Sequence, residues 1–356
     1  KDDWNNKNYS KLWLYNLHYF DYINSHEPNT FDKENQIIKT WVADNPAFYG
    51  VGWDPYPSSI RIVNWIKWLY ENNYSNKAIE DSIFLQSKHL FNNIENHILG
   101  NHLFSNAKAL IFAGLFFNGP ESRVWLSKAE SILKREILEQ ILPDGGHYEL
   151  SPMYHSIILE DILDLHNIFN SHKKNAKHEL AECISKMFTW LESMSHPDSK
   201  ISFFNDSAHG IASSLNDLEA YRKRLKIKLN LEKNDWHFND LKHSGYTSIH
   251  QKDIFLVVDR GNIGPNYLPG HAHADTLSFE LSIFKSRFIV NLGTSLYEDG
   301  PERLKQRGSA NHSTLLINDV NSSNVWSSFR VAQRAKIVSR SNYINDDLIE
   351  ISGMHD

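Results

Sequence analysis

Cysteine is almost absent from this sequence. Among 356 residues, Cys183 stands alone, so an internal disulfide is excluded. No Cys/His zinc spacing surrounds it, and it lies in the apolar-periodic run 182–191, which predicts a buried, inert thiol. Exported proteins without disulfides are common, so the redox compartment stays open.

Long apolar runs and an excess of basic residues are also missing. No stretch of about 18 apolar residues occurs, so the sequence predicts no transmembrane helix. The net charge is −6, from 37 Lys and Arg against 43 Asp and Glu, which argues against nucleic acid as a partner. A local basic patch could still hold a carboxylate-bearing chain. The first residue is Lys1, so nothing can be read here about a signal peptide.

Aromatic residues, in contrast, are abundant, with ten Trp, fifteen Tyr and nineteen Phe. Most are expected in the core, but flat rings also suit a sugar-binding cleft, because they cover the C–H face of a pyranose. The length of 356 residues favours about two domains.

Hydrophobic periodicity predicts helices over the first two thirds of the chain. Apolar residues recur at i, i+3, i+4 and i+7 around 62–69 and 103–114, and similar amphipathic stretches cover 76–97, 121–142, 151–169 and 176–194. Short loops rich in Gly, Pro, Asn and Asp separate them, which favours antiparallel helical hairpins. Periodicity leaves a bundle, a solenoid and a closed toroid equally open.

The last third changes to a β pattern, so we place a domain boundary between residues 235 and 236. Residues 1–235 form the predicted helical domain and residues 236–356 an antiparallel sheet or sandwich. The predicted strands are 246–249, 254–258, 277–284, 288–291, 314–317, 336–338 and 348–351. A sheet normally has further strands or loops to protect its edges, so we expect a fragment, with a β domain incomplete at its C-terminus.

Two predicted helix starts carry polar side chains suited to chemistry. In S-P-M-Y-H, Ser151 fits an N-cap and Pro152 the first helical position, which places Tyr154 in the first turn, where the helix dipole favours a phenolate. In G-N-H, Asn101 fits an N-cap, and with His102 it suits an anion site that could polarise a carboxylate. An aromatic staple and an ordinary cap are the structural alternatives.

Polar residues also cluster in the predicted β domain. In P-G-H-A-H-A-D, an extended chain would point His271, His273 and Asp275 to one face, which fits metal ligation or catalysis. His312 precedes a predicted strand and could join His273 as a ligand. Arg303 and Arg307 are four residues apart, so a helical turn would aim both at a carboxylate or sulfate, with a solvated loop as the alternative.

Together these segments resemble the heparinase II/III-like polysaccharide lyases. The resemblance spans nearly the whole chain and rests on the following motifs, in this order: Y-N-L-H-Y-F-D-Y at 15–22, P-Y-P-S-S-I-R-I-V-N-W-I-K-W at 55–68, G-N-H-L-F-S-N-A-K-A-L at 100–110, E-L-S-P-M-Y-H at 149–155, H-A-H-A-D at 271–275 and R-G-S-A-N-H-S-T at 307–314. It implies an α+β multidomain fold, an incomplete (α/α) toroid followed by an antiparallel β-sandwich with the substrate cleft between them. It also implies a periplasmic or secreted protein.

The resemblance further implies β-elimination on a uronic-acid-containing, anionic polysaccharide, without an organic cofactor. Asn101, helped by His102, would neutralise the uronate carboxylate. Tyr154 would act as Brønsted base and acid, and His271 would assist proton abstraction. The residues expected to contact substrate are Arg61, Asn64, Trp65, Tyr297, Arg303 and Arg307, with core packing as the alternative for Trp65.

The resemblance also implies one divalent metal ion, zinc or calcium, in the β domain, held by His273, Asn291 and His312. Asn291 stands where the family commonly has an aspartate, and an amide oxygen is a poorer zinc ligand than a carboxylate. Asp275 could compensate. Ser105 likewise replaces a glutamate that the family commonly has three residues after the histidine.

Two alternatives remain open. A glycoside hydrolase on a helical toroid would need two carboxylates about 5–10 Å apart, and Glu149, Asp206 and Asp275 are available without an evident pairing. A non-catalytic polysaccharide-binding or capsule-assembly protein would keep the fold without turnover. The residues Asn101, Tyr154 and His271 argue against the latter, and Asn291 argues weakly for it.

Overall fold

The computed structural model describes residues 3–25, 28–173, 178–229, 236–345 and 347–356. The chain packs as two compact units: Lys1–Ile137 with Ile168–Lys174, and Leu138–Asn167 with Asn175–Asp356. The predicted boundary at residue 235 falls within 230–235, outside the described residues, and stays a prediction.

Helices make up the regular structure that begins in the first unit. Their bounds are α1 Lys11–Leu17, α2 Phe31–Asp44, α3 Pro55–Glu71, α4 Lys77–Asn92, α5 Gly100–Phe116 and α6 Pro120–Gln140. Fully buried aromatic side chains of α2 and α3 form part of the core, and the rings of Trp41 and Trp65 meet edge to face with centroids 5.3 Å apart. Aromatic burial of this kind is a large hydrophobic contribution to stability.

Helices and strands both occur in the second unit. The helices that begin there are α7 Pro152–Ser171, α8 His178–Ser193, α9 Leu215–Arg224 and α10 Pro301–Arg307. The strands are β1 Trp236–Leu241, β2 Tyr246–Gln251, β3 Ile254–Asp259, β4 Phe279–Ile283, β5 Ser286–Ile289, β6 Val325–Trp326, β7 Arg330–Val331, β8 Ile337–Ile344 and β9 Ile349–His355.

Strands β1 to β5 pair in chain order as one antiparallel meander, and β6–β7 and β8–β9 form separate antiparallel pairs. Trp190 and Met194, in and just after α8, pack in one buried cluster with Tyr246 and Phe255 of the sheet. This cluster fixes the helix on the sheet, because close-packed side chains leave little freedom to slide.

The predicted α+β class, a helical region followed by an antiparallel β region, is confirmed, and the closure of a toroid and the layering of a sandwich stay predictions. The predicted strand at 314–317 is wrong. Only an isolated bridge joins Ile317 to Val320, because side-chain hydrogen bonds hold this segment, among them Thr314 Oγ1 to the Thr276 carbonyl at 2.8 Å.

Two expectations from composition concern the helices. In α8, Cys183 is half-buried rather than buried as predicted. Desolvation nevertheless raises the pKa of its thiol to about 12, so the thiol stays protonated, in agreement with the prediction of an inert thiol. Among the described residues, no helix combines the length and the apolar character that a bilayer crossing requires.

Candidate active site

The start of helix α7 positions Tyr154. The helix begins at Pro152, and the Tyr154 amide donates to Ser151 Oγ at 3.2 Å, as the predicted N-cap requires. Ser151 Oγ donates in turn to the Asp206 carbonyl at 2.6 Å, which ties the helix start to the chain around Asp206. The local prediction for Ser151, Pro152 and Tyr154 is therefore confirmed.

The phenol of Tyr154 lies against the imidazole of His271. Their ring centroids are 4.0 Å apart, and the Tyr154 hydroxyl donates to the Tyr297 hydroxyl at 3.2 Å. The Tyr154 residue is 9 % exposed, and the His271 side chain is 17 % exposed. The two proton-carrying groups thus share one small, largely desolvated space.

The carboxylate of Asp206 fixes the His271 ring in this position. It accepts hydrogen bonds from His271 Nδ1 at 2.9 Å and from His273 Nε2 at 2.8 Å. The guanidinium of Arg303 donates to both carboxylate oxygens, with Nη2 2.7 Å from Oδ2. Asp206 has no exposed surface, and a buried charge is stable only when it is paired and hydrogen-bonded in this way.

These contacts set the protonation states of the cluster. Burial alone would raise the pKa of Asp206, but hydrogen bonds from His271, His273 and Arg303 hold it well below its usual range. Burial lowers the pKa of the His271 imidazole, and the charges of Glu149 and Asp206 outweigh that effect and raise it. The charged neighbours therefore favour the protonated ring.

The phenolate that the helix dipole suggested for Tyr154 is not favoured here. Burial chiefly, and then Tyr297 and the charge of Asp206, raise the pKa of the phenol well above its ordinary value. Burial and a nearby carboxylate act on the hydroxyl itself and outweigh the dipole, whose effect falls off within the first helical turn. The neutral phenol is the resting form.

The segment 269–275 is a turn at Gly270 and His271 followed by irregular chain, and not the predicted extended chain. The Ala272 amide donates to the Pro269 carbonyl at 3.2 Å, and this folding lets His271 and His273 both reach Asp206. Asp275 takes a different partner, because its Oδ2 accepts from the Asn205 amide at 3.0 Å. The two histidines converge as expected, and Asp275 does not share their contact.

Two of the three predicted metal ligands are in contact. His273 Nδ1 and His312 Nε2 are 3.2 Å apart, close to the roughly 3.3 Å that two nitrogen ligands of one tetrahedral zinc ion would have. The amide oxygen of Asn291, however, accepts from the Ser313 amide at 2.8 Å. Across the described part of the chain, no three His, Cys, Asp or Glu side chains form a group that could hold a metal ion. The metal ion therefore stays a prediction, and its three candidate ligands would bring no carboxylate to the site.

Arg303 and Arg307 lie on one side of α10, as their spacing predicted, but both are fully buried. Arg303 donates to the Asp206 carboxylate, and Arg307 donates to the Ala272 carbonyl at 2.8 Å. We therefore revise their assignment from substrate contacts to supports of the site. Tyr297 remains partly exposed and stacks on Phe329, with ring centroids 5.7 Å apart.

The other predicted catalytic pair lies in the first unit. Helix α5 begins at Gly100, and its N-cap is Leu99, so Asn101 occupies the first turn and is not the predicted cap. Both Asn101 and His102 are partly exposed. His102 Nδ1 lies 3.1 Å from Glu95 Oε1, and the His102 ring stacks on Tyr56 at 4.2 Å between centroids.

The α3 residues predicted to contact substrate belong to the interior of the first unit. Arg61 has no exposed surface, donates to Gln86 Oε1 at 2.9 Å and lies over the Trp41 ring at 3.8 Å. Trp65 is also fully buried, and Asn64 donates to Asp21 Oδ1 at 2.7 Å. Neither Arg61 nor Trp65 presents surface to a polysaccharide. We therefore revise their predicted role from substrate contact to packing.

Sequence profiles identify the family. The profile described as Heparinase II/III N-terminus matches residues 5–228, and the profile described as Heparinase II/III-like, C-terminal, matches residues 233–356. The chain belongs to the heparinase II/III family. The resemblance inferred from the motifs is thereby confirmed.

Two individual relatives match over shorter stretches. A heparin-sulfate lyase of Bacteroides stercoris is 33 % identical over 115 residues, which are 30 % of this chain and 17 % of the lyase. One from Pedobacter heparinus is 31 % identical over 113 residues, with the same two shares of 30 % and 17 %.

Two solved structures share the fold. The crystal structure of heparinase III matches with a TM-score of 0.70 and 18 % identity, over 93 % of this chain and 56 % of that one. The heparan sulfate lyase HepC from Pedobacter heparinus matches with a TM-score of 0.60 and 20 % identity, over 97 % of this chain and 57 % of that one. This chain thus spans less than two thirds of either solved chain.

Proposed function

We propose that this heparinase II/III chain acts in a polysaccharide lyase that cleaves a uronic-acid-containing polysaccharide by β-elimination. The observation that carries the proposal is the Tyr154 phenol packed on the His271 imidazole, whose Nδ1 is held by the buried Asp206 carboxylate. A proton donor and a proton acceptor in contact suit an elimination, which takes a proton from one carbon and gives one to the leaving oxygen.

The first requirement of such a reaction is neutralisation of the uronate carboxylate. The C5 proton is weakly acidic until that charge is compensated. We assign this task to Asn101 and His102, two partly exposed donors in the first turn of α5. One well-placed donor to a developing oxyanion contributes about 3 kcal/mol.

The second requirement is a base for the C5 proton. In its neutral form, with Nδ1–H donated to Asp206, His271 has its lone pair on Nε2, and the Asp206 charge stabilises the imidazolium that forms. Because the charged neighbours raise the pKa of the imidazole, this base form becomes more populated as pH rises. We therefore propose His271 as the base in the first step, a refinement of the role that the family resemblance suggested for Tyr154. The neutral phenol of Tyr154 is suited to be the acid.

The electron balance of the elimination is complete with these two groups. The C5–H electrons form the C4–C5 double bond, the C4–O bond breaks, and the leaving oxygen takes the phenolic proton of Tyr154. The Tyr154 phenolate then recovers a proton from the His271 imidazolium beside it. No step uses water or an organic cofactor, and none is routed through a metal ion.

Because two relatives are heparin-sulfate lyases, heparan sulfate is the first polymer to test, with other uronate glycosaminoglycans, alginate and capsule polymers after it. The assay follows ultraviolet absorbance, because the C4–C5 double bond conjugated to the carboxylate absorbs there. A periplasmic or secreted location remains part of the proposal.

Two other outcomes would replace the proposal. New reducing ends without new absorbance would indicate a hydrolase. The site argues against that reading, because the Asp206 carboxylate is engaged by His271, His273 and Arg303. Binding of a polymer without either product would indicate a non-catalytic polysaccharide-binding protein.

A further inference from the structure

The carboxylate that contacts His102 comes from the loop before its helix. Glu95 precedes His102 by seven residues, and its Oε1 lies 3.1 Å from His102 Nδ1. Ser105, one helical turn after His102, carries no charge. We propose that Glu95 is a positioning residue that keeps a proton on Nδ1 of His102 and turns Nε2 toward an anionic sugar.

Glu95 is itself fixed by Asn106. Its Oε2 accepts from Asn106 Nδ2 at 3.0 Å, and its own amide donates to Asn106 Oδ1 at 2.9 Å. Asn106 Nδ2 also reaches Ser59 Oγ at 3.1 Å, which anchors the group to α3. Glu95 is only 5 % exposed, so neither oxygen depends on a mobile surface contact.

This arrangement determines which nitrogen of His102 carries the proton. An ionised carboxylate only accepts hydrogen bonds, so Nδ1 must carry hydrogen whether the ring is neutral or charged. The stacked ring of Tyr56, inclined by 23°, fixes the plane of the imidazole. The His102 side chain is 26 % exposed and that of Glu95 is 7 % exposed, so the pair is open to solvent on the imidazole side.

The consequence concerns binding of an anion. An imidazolium ring donates from both nitrogens, so in that form Nε2 can donate to a sugar carboxylate while Glu95 pairs with the charge at Nδ1. Two titratable groups in contact with the His102 ring are Glu95 and Tyr56. Nearby, burial chiefly, then Asp54 and more weakly Glu95, raise the pKa of the Tyr15 phenol, so that phenol adds no negative charge.

The first experiment is independent of catalysis. Side-chain ¹⁵N NMR of the full chain would identify the His102 resonance by its loss in His102→Ala. In the wild type we expect the neutral ring as the Nδ1–H tautomer. In Glu95→Gln, the amide oxygen can stay on Asn106, which turns the NH2 group toward Nδ1 and moves the ring proton to Nε2. A neutral wild-type ring carrying its proton on Nε2 would overturn the proposal even if the variant failed to fold.

The second experiment rests on the proposed lyase activity. Where the imidazole is a metal ligand, losing the carboxylate that orients it typically costs about 10- to 100-fold in activity. We expect a loss of similar size in kcat/KM for Glu95→Gln, with an altered acidic limb of the pH profile. In a His102→Ala background the same change should cost little further, because its effect passes through His102. An equal loss in both backgrounds would contradict a positioning role.

A matched control separates positioning from general loss of folding. Glu34 is another buried carboxylate of the first unit, 9 % exposed, whose Oε2 accepts from Trp68 Nε1 at 2.7 Å. Glu34→Gln should leave kcat/KM and the His102 tautomer unchanged. If the wild type gave no unsaturated product from any uronate polymer, the proposed function would fail, while the NMR result would still decide the role of Glu95.

Discussion

Replacing Asp206 with asparagine should destabilise the second unit strongly, because it removes the buried carboxylate that pairs with Arg303. The fully buried guanidinium donates to both Asp206 oxygens, and His271 and His273 donate to the same carboxylate. An asparagine keeps one oxygen and directs an NH2 group at donors. Breaking a buried pair on one side costs about 3–5 kcal/mol, so we expect the free energy of unfolding to fall by about that amount.

The measurement is amide hydrogen exchange of peptides from β2 and β3, which reports opening of the unit that contains Asp206. Asp198→Asn is the matched control. It breaks the ion pair with Arg287, 3.0 Å long and 30 % exposed on the aspartate side, where about 0–1 kcal/mol is expected. If the two variants lost equal stability, the central role of Asp206 in this unit would be refuted.

The same variant has a predicted pH dependence. The pKa of Asp206 is depressed in the folded chain, so its stabilising effect is fully present above the unfolded value of about 3.9 and is lost as pH falls through the folded pKa. The charge of Asp206 also helps to raise the pKa of His271, and that contribution is fully present below the unfolded value of about 6.5 and is lost as pH rises through the folded pKa. The stability difference between wild type and Asp206→Asn should therefore decrease as pH rises through the folded pKa of His271, and it should shrink again below about pH 4.

Three further substitutions test separate parts of the structure. Tyr154→Phe should lower formation of unsaturated product by at least about 100-fold with folding retained. The control Tyr221→Phe, which loses a hydroxyl bonded to Asp164, should stay active. Retained turnover in Tyr154→Phe would exclude Tyr154 as the acid. Arg61→Lys should lower the urea midpoint without changing KM, because a lysine cannot match the buried guanidinium contacts; a raised KM at unchanged stability would restore a substrate role. Asn291→Asp should create a zinc-dependent rise in melting temperature that is small or absent in the wild type, and an equal rise in both chains would show that the carboxylate is not the missing ligand.

Local sequence signals predicted the parts of the site that depend on neighbouring residues. Ser151, Pro152 and Tyr154 follow the ordinary chemistry of a helix start, and the structure has them as predicted. His271 and His273 were predicted to converge, and they do, although through a turn rather than a strand.

The missed features depend on partners distant in sequence. Asp206 is 65 residues from His271, so nothing in the sequence around it indicated that it orients an imidazole. Arg303 and Arg307 look like surface charges in the sequence, because arginine is seldom buried. They are buried here because Arg303 pairs with the Asp206 carboxylate and Arg307 donates to the Ala272 carbonyl, and neither partner is near in sequence. Trp65 fitted both a cleft and a core, and helical periodicity alone could not separate the two.

A left-handed leucine precedes both helices that carry predicted catalytic residues. Leu99 has φ 65° immediately before α5, and Leu150 has φ 58° just before the N-cap of α7. Side chains with a Cβ rarely adopt this conformation, so the surrounding packing must hold each leucine there. The positive φ of each leucine thereby fixes the residue at which the following helix begins. An insertion ahead of either leucine can be absorbed by the loop, whereas one extra residue between Leu150 and Tyr154 would rotate the phenol by about 100° around the helix axis and carry it away from His271.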